Sequence, residues 1–360
     1  MDLLRRAVGD PRMNYLGISY GTYLGATYAN LFPGKVRAMV LDGNIDPVAW
    51  ATGYGTEARR LGTALRIGQD EGMAATLRAF LTLCGQAAPG ACAFSAGSPA
   101  ATQAKYQSLL ERLRQHPVTL DGETVTYALA VAAVGNYLYT VEPEVGEPGW
   151  AALAALLQDL WTGGASAGPA HVPAIRPGLP PVLDPVLSGP AGIGTAQATA
   201  GSTAQAYTGS TAQAYTGTEQ PIATLCDDSP NPRDPGSYPV QAALAYGRSG
   251  AFGPYVAWKT ESCARWPALD ADRYTGPWNV PTARPLLLVG NTTDPATPYQ
   301  GSLAMARDLA RARLLTVDGW GHTEFLNPSS CAQGYESGYL IDGTLPPAGA
   351  TCQPNQRPFG

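Results

Sequence analysis

A serine flanked by glycines, placed where a buried strand gives way to a helix, constrains this chain more than any other stretch. Residues 14–18 have the apolar pattern of a strand end, and residues 22–32 have helical periodicity. Between them, residues 17–21 read GISYG and fit the pattern G-x-S-x-G, a serine on a tight turn from strand to helix. Small residues on either side let strand and helix pass closely around a strained backbone. The pattern predicts that Ser19 is a nucleophile.

A serine nucleophile on such a turn needs a histidine base further along the chain. The chain has three histidines. His116 precedes a proline at a helix end, and His171 lies in a low-complexity region. His322 lies on the loop after the last long predicted strand, where the base is expected, so we predict His322 as the base.

The carboxylate that orients the base is predicted to be Asp294, just beyond the strand that ends at Val289. Asp42, at the end of an earlier strand, is the alternative, with a competing role in capping the turn that follows it. Asp318 precedes the histidine too closely to face it and is expected to shape the turn. The backbone N–H of Tyr20 is the predicted oxyanion donor.

The order of elements divides the chain into three parts. Residues 1–45 carry the serine turn with a strand on each side of its helix, and residues 281–360 read as strand, helix, strand, helix and a proline-rich tail. Residues 46–280, called the insertion below, read as helices and loops. This order matches the second half of the α/β-hydrolase fold, a parallel sheet with a large, mainly helical cap inserted.

Only four core strands are visible, fewer than a complete α/β-hydrolase core contains. The sequence therefore predicts a chain truncated at its N-terminus. It also predicts that the loop supplying the second oxyanion donor is missing from this chain.

Helical periodicity marks the insertion at five segments, 57–69, 73–86, 101–115, 127–139 and 150–161. From about 163 to 220 the composition becomes rich in glycine, alanine, proline, threonine and serine. There the octad at 201–208 repeats as 209–216. The repeat predicts a low-complexity surface segment, with a ligand-binding repeat as the alternative.

The six cysteines contain no C-x-x-C pair and no histidine at zinc-finger spacing, so we do not expect a metal site. Their sequence-local arrangement favours three disulfides, Cys84–Cys92, Cys226–Cys263 and Cys331–Cys352. Six buried free thiols are the alternative. Disulfides indicate an oxidising compartment, although the first residues have no secretory hydrophobic region.

Composition excludes several classes of function. Charged residues make up 14% of the chain and the net charge is -5, with no basic run, so a nucleic-acid partner is not expected. No stretch approaches the roughly 18–20 apolar residues that span a bilayer, so no membrane partner is expected either. The sequence gives no sign of a metal or organic cofactor, and it does not indicate an oligomeric state.

Three motifs together resemble the tripeptidyl aminopeptidases of actinomycetes, whose C-terminal region is called TAP-like. The first is the segment 17–25 followed by the LDG of residues 41–43. The second runs from 287 to 298 and ends in DPATP, and the third is DGWGH at 318–322, followed by Cys331 and Cys352. The surroundings of the other four cysteines are also similar, and the resemblance covers most of the chain outside about 163–220.

The resemblance implies a secreted serine peptidase that removes short peptides, often tripeptides, from free N-termini. Ser19, Asp294 and His322 would then be its triad. A substrate with a free, cationic amine needs carboxylates at one end of the cleft. Candidates are Asp227 and Asp228 beside Cys226, and Glu324 after the base, although each also fits a solvated or capping acid.

Two alternatives remain open at the level of sequence. One is an esterase or amidase of the same fold, which would use the same triad. The other is a catalytically impaired fragment that lacks the oxyanion-hole half of the core. The repeated octad is not a feature of the resemblance.

Overall fold

The computed structural model of the chain describes residues 1–120, 122–143, 149–163 and 219–360. His171 and the repeated octad at 201–216 lie outside these residues. Five parallel strands form one sheet, and two short antiparallel strands form a hairpin in the insertion. In chain order the strands are β1 Met13–Ile18, β2 Val36–Asp42, β3 Val118–Leu120, β4 Glu123–Val125, β5 Leu286–Thr293, β6 Ala312–Trp320 and β7 Thr351–Cys352.

The main sheet has the order β1-β2-β5-β6-β7, so β2 and β5 lie beside each other although the insertion separates them in sequence. The four longer strands confirm the predicted strands. The count of four was wrong, because β7 in the proline-rich tail pairs with β6. Its two residues, Thr351 and Cys352, are too few to show strand periodicity, and the hairpin β3–β4 escaped notice for the same reason.

Helices cover both faces of this sheet. Along β2, Met39 and Leu41 point to one face with α2 (Tyr20–Leu31) and α12 (Tyr299–Asp308). Ala38 and Val40 point to the other face with α13 (Ser330–Asp342). Burial on both faces explains why β2 and β5 are continuously apolar in sequence. A short helix, α1 (Asp2–Ala7), precedes β1.

The insertion is mainly helical and has its own apolar cluster, which includes Phe80 and Trp150. It packs closely against the end of β5. Gly72 lies so near Asp294 that a Cβ on this glycine would be only 2.7 Å from the Asp294 carbonyl oxygen. Within the described residues its helices are α3 Pro47–Ala51, α4 Thr63–Arg66, α5 Gln69–Gln86, α6 Pro99–Gln115, α7 Tyr127–Tyr137, α8 Trp150–Thr162, α9 Glu219–Asp228, α10 Ser237–Ser249 and α11 Phe252–Trp258.

The single helix predicted over 57–69 was wrong. The segment contains a 3₁₀ turn and the four-residue α4, and α5 then begins at Gln69. Gly68 adopts φ +76°, which stops a helix, and a Cβ on Gly62 would lie 2.0 Å from the Thr260 hydroxyl oxygen. Contact with a distant part of the insertion therefore decides the local structure.

Three disulfides join the cysteine pairs expected from their spacing, Cys84–Cys92, Cys226–Cys263 and Cys331–Cys352. The second anchors α9 to the 3₁₀ turn Glu261–Ala264. Among the residues described, no helix is both long and apolar enough to cross a membrane.

Candidate active site

The predicted nucleophile lies on a strained turn between β1 and α2. Ser19 has φ 56° and ψ −118°, a region that residues other than glycine rarely adopt. A Cβ on Gly17 would lie 2.5 Å from the Gly21 carbonyl oxygen, so glycine is needed where strand and helix meet. The Ser19 N–H donates to the carbonyl oxygen of Asp42 at 2.9 Å. Helix α2 begins at Tyr20, which places the Tyr20 N–H at the positive end of the helix dipole.

His322 and Asp294 form a buried pair, each 2% exposed. Nδ1 of His322 lies 3.0 Å from both carboxylate oxygens of Asp294. The carboxylate also accepts the N–H groups of Ala296 at 2.7 Å and Thr297 at 2.9 Å, and the Thr297 hydroxyl at 3.0 Å. A carboxylate fixed in this way favours the imidazole with its proton on Nδ1, which leaves Nε2 able to accept a proton.

The loop that carries His322 is tied to the insertion. The His322 N–H donates to the Tyr139 carbonyl at 2.7 Å, and the two rings meet edge to face at 5.1 Å between centroids. The Asn327 amide donates to the carbonyls of both residues at 3.0 Å and accepts the Val141 N–H at 2.8 Å. Gly321 has φ +86°, and a Cβ there would lie 2.4 Å from the Asn327 amide.

Ser19 and His322 both lie against the carboxyl end of β2. Gly43, the residue after this strand, has φ +71°, and a Cβ there would lie 3.3 Å from Cε1 of His322. Asp42, the residue before it, accepts the Ser19 N–H. Within the described residues no hydrogen bond joins the Ser19 hydroxyl to His322. Such contacts are often long in an unliganded enzyme and shorten when substrate binds.

Asp42, the alternative acid, does not contact His322 through a hydrogen bond. Its carboxylate accepts the N–H groups of Glu324 at 3.0 Å and Phe325 at 2.9 Å, two and three residues after the histidine. The expectation that it caps the turn into the insertion was therefore wrong. Asp318 is exposed and accepts the Thr292 hydroxyl at 3.2 Å.

A group of carboxyls lies behind the His322 loop. Burial raises the pKa of Asp42 to about 7, although two backbone N–H donors oppose the shift. Burial, with the charges of Asp42 and Glu324, raises the pKa of Glu336 on α13 to about 8. Burial also raises the pKa of Glu324, whose carboxylate accepts the Ser329 N–H at 2.8 Å. Oε1 of Glu336 is buried without a hydrogen-bond partner.

Replacing Glu336 with glutamine is expected to stabilise the protein at alkaline pH. A carboxyl whose pKa is higher in the folded chain binds more protons there, so stability falls as pH rises from about 4 to about 8. Thermal unfolding at pH 5 to 9 should give Glu336→Gln a higher melting temperature above pH 8 and little difference near pH 5. The exposed carboxylate Glu123, changed to glutamine, is the control with an unchanged profile. Equal melting temperatures at pH 8.5 would contradict the expectation.

The three candidate amine-binding carboxylates have different surroundings. Asp228, at the end of α9, accepts a hydrogen bond from the hydroxyl of Tyr20, the residue next to Ser19. Asp227 accepts the indole N–H of Trp266 at 2.9 Å. Glu324 is 2% exposed and already bonded behind the loop. The structure therefore brings Asp228 alone of the three beside the serine turn.

Burial raises the pKa of Asp228, and the charges of Asp270 and Asp227 add to the shift. The Tyr20 hydroxyl and Arg273 act in the opposite direction. Asp228 thus lies near two further carboxylates and one guanidinium, a net negative group of charges that favours a cation.

Sequence reasoning missed three residues that hold the pair, Thr297, Asn327 and Tyr139. Thr297 lies in the DPATP motif, so its closeness to Asp294 could have been inferred. Asn327 and Tyr139 carry no local signal, because their role depends on the loop meeting the insertion. Among the described residues, no group of three or more His, Cys, Asp or Glu side chains is arranged to hold a metal ion.

Comparison with known proteins identifies two family segments in the chain and several relatives. Residues 1–65 match the family described as alpha/beta hydrolase fold, and residues 249–352 match the family described as TAP-like protein. The serine protease Hip1 of Mycobacterium tuberculosis is 29% identical over 367 residues, which cover 98% of this chain and 60% of that protein. The tripeptidyl aminopeptidase of Streptomyces lividans is 26% identical over 365 residues, covering 99% of this chain and 58% of that protein.

A third relative, carboxylesterase B of M. tuberculosis, is 34% identical over 140 residues, 37% of this chain and 26% of that protein. The chain spans about 60% of the length of Hip1. Ser19 lies within the first matched segment, and Asp294 and His322 lie within the second. The chain is thus an α/β-hydrolase-fold protein with a TAP-like domain, homologous to mycobacterial serine protease Hip1 and Streptomyces tripeptidyl aminopeptidase.

Proposed function

We propose that the chain is a serine exopeptidase that releases short peptides from free N-termini through an acyl-enzyme on Ser19. The observation that carries the proposal is the buried contact of His322 Nδ1 with both oxygens of Asp294, at the end of the sheet that also bears the serine turn. His322 takes the Ser19 proton as the hydroxyl attacks the carbonyl carbon, and returns it to the leaving amine. Water then releases the peptide by the same proton transfers in reverse.

The negative charge that develops on the substrate's carbonyl oxygen would lie beside the N-terminus of α2. The Tyr20 N–H is the donor that the chain offers for this oxyanion. The site works in an oxidising compartment outside the cytoplasm, which is supported by the three disulfides and by the absence of free cysteines among the described residues.

The preference for a free N-terminus is supported by the acidic surroundings of Asp228. The substrate's ammonium group would bind the Asp228 carboxylate, where the neighbouring acids Asp270 and Asp227 favour a cation. Of the other two candidates, Asp227 contacts Trp266 and Glu324 is buried behind the His322 loop, so neither has a described hydrogen bond to the serine turn. Asp228 is therefore the residue to which we assign the amine.

Chromogenic tripeptide amides with free and with acetylated N-termini test this proposal. We expect kcat/KM to be at least about tenfold higher for the free amine, since a charge-assisted hydrogen bond contributes about 1.5–3 kcal/mol. Asp228→Asn should raise KM for the free substrate and leave the acetylated one unaffected. Asp272→Asn, an exposed carboxylate in the same part of the insertion, is the control. Equal rates on both substrates would exclude the aminopeptidase.

A second candidate function is an esterase or amidase, favoured by the match to carboxylesterase B. This function predicts indifference to acetylation and faster turnover of p-nitrophenyl esters than of peptide amides. A fluorophosphonate probe distinguishes an active enzyme of either kind from an inactive chain, because the probe labels a serine only where a base activates it. An unlabelled Ser19 in the folded protein would reject both catalytic proposals.

A further inference from the structure

One residue contacts both halves of the predicted catalytic machinery. Asp42 is the last residue of β2, and its carbonyl oxygen accepts the Ser19 N–H at 2.9 Å. Its side chain accepts the N–H groups of Glu324 and Phe325, on the loop that carries His322, at 3.0 and 2.9 Å. The main chain of Asp42 therefore holds the serine turn, and its carboxylate holds the histidine loop.

We propose that Asp42 is a positioning residue that sets the distance between Ser19 and His322. The inference rests on the proposed serine hydrolase function. The nucleophile and the base come from segments about 300 residues apart, and β6, which leads to His322, is separated from β2 by β5. Asp294 fixes the His322 loop to the end of β5, since its carboxylate contacts Nδ1 of His322 and accepts the Thr323 N–H at 3.2 Å, and Asn327 fixes the loop to the insertion. Among the described residues, Asp42 connects this loop to the backbone of Ser19 through hydrogen bonds.

Packing around the next residue supports this role. Gly43 donates its N–H to the Val289 carbonyl of β5 at 3.1 Å. Gly43 has a left-handed φ of +71°. A Cβ built on this residue would lie 2.5 Å from Thr323 Cγ2, 3.0 Å from Thr297 Oγ1 and 3.3 Å from His322 Cε1. The end of β2 therefore lies against the histidine ring, so a shift of the loop relative to Asp42 moves the ring relative to Ser19.

The burial and the hydrogen bonds of the Asp42 carboxylate indicate a positioning role for it, not a role in proton transfer. Asp42 is 1% exposed, and both carboxylate oxygens are occupied by backbone donors. Asp294, and not Asp42, contacts Nδ1 of the base. Asp42 acts through the backbone on either side of the reacting atoms and touches neither of them.

Asp42→Asn removes one of the two acceptors, because the carboxamide presents an N–H₂ group where one oxygen stood. The loop should move, and a misplacement of about 1 Å can cost about a hundredfold in rate. We expect kcat to fall about 10- to 100-fold, KM to change less than about twofold, and fluorophosphonate labelling of Ser19 to slow in proportion to kcat. An unchanged kcat in the folded variant would overturn the proposal.

Asp46→Asn is the matched control. Asp46 also accepts two backbone N–H groups, those of Val48 and Ala49 at 2.9 Å each, at the start of α3, but it does not contact the His322 loop. Both N–H groups bind Oδ1, which asparagine keeps, so this variant should leave kcat and labelling unchanged and lose less stability than Asp42→Asn. An equal loss of kcat in both variants would mean that Asp42 is merely structural.

The proton on Nδ1 of His322 gives a readout that does not require catalysis. In the proton NMR spectrum it should resonate far downfield in the unsubstituted protein and in Asp46→Asn, and shift or broaden in Asp42→Asn. If Ser19 proves unreactive, the proposed function fails, yet this resonance still tests whether Asp42 positions the histidine. A resonance unaffected by Asp42→Asn overturns the inference.

Discussion

Replacing Ser19 with alanine is expected to lower kcat by about 10⁴- to 10⁶-fold and to abolish fluorophosphonate labelling. Without the hydroxyl no acyl-enzyme forms, and the remaining rate comes from the oxyanion donor and substrate binding. Alanine keeps the Cβ, so the strained turn at φ 56° is unchanged and the variant should fold. Rates with the free tripeptide amide and mass spectrometry of the labelled protein measure the two effects.

A glycine at position 19 separates the loss of the nucleophile from the effect of the strained backbone on stability. Ser19→Gly should lose activity like the alanine variant, but it should unfold at a higher temperature, because glycine adopts positive φ at little cost. Ser108→Ala, at an exposed position on α6, is the control that retains full activity and labelling. Substantial labelling of Ser19→Ala at another serine would assign the nucleophile elsewhere.

Replacing Asp294 with asparagine is expected to reduce kcat by about 10⁴-fold with little change in KM. A carboxamide can donate to Nδ1 of His322, which then holds its proton on Nε2 and cannot accept the serine proton. Asparagine also leaves a donor of the carboxylate without an acceptor, either the Ala296 and Thr297 N–H groups on Oδ1 or the Thr323 N–H on Oδ2. We expect a stability loss of about 1–3 kcal/mol in denaturant unfolding.

The control for this change is Asp318→Asn, an exposed carboxylate four residues before the histidine. It accepts hydrogen bonds from Thr292 and Gln353 but none from His322, so kcat should stay within about twofold of the unsubstituted protein. If Asp294→Asn kept full activity and Asp42→Asn lost it, the acid would be Asp42 and the assignments above would be exchanged.

β2 and β5 were predictable because they are largely buried on both faces and read as apolar runs. β1 and β6 are only partly buried, but β1 comes directly before the serine turn, and that turn identified the fold. The helix predicted over 57–69 failed because Gly62 packs against Thr260, a contact between residues about 200 positions apart. Periodicity reports on local pattern and contains no information about such contacts.

Candidate site residues with a motif around them were predictable, and those without one were not. The turn at Ser19, the strand end before Asp294 and the loop at His322 each have a recognisable place in the fold. Asp42 is a candidate from its place at a strand end, but its hydrogen bonds to residues 324 and 325 depend on how a loop returns to the sheet. Asn327 and Tyr139 could not be predicted, since an asparagine and a tyrosine in these segments have no distinguishing pattern.

The pairing of β2 with β5 has a consequence for the synthesis of the chain. Val40 lies opposite Leu287, so the centre of the sheet cannot close until the whole insertion has been translated. At about 5–20 residues per second, the nascent chain carries the serine turn for roughly 10–50 s before β5 exists. During that time β2 has a free, apolar edge on which β5 must later pair, and a chaperone bound there would protect the chain from aggregation. A ribosome that pauses within the insertion would lengthen this exposure.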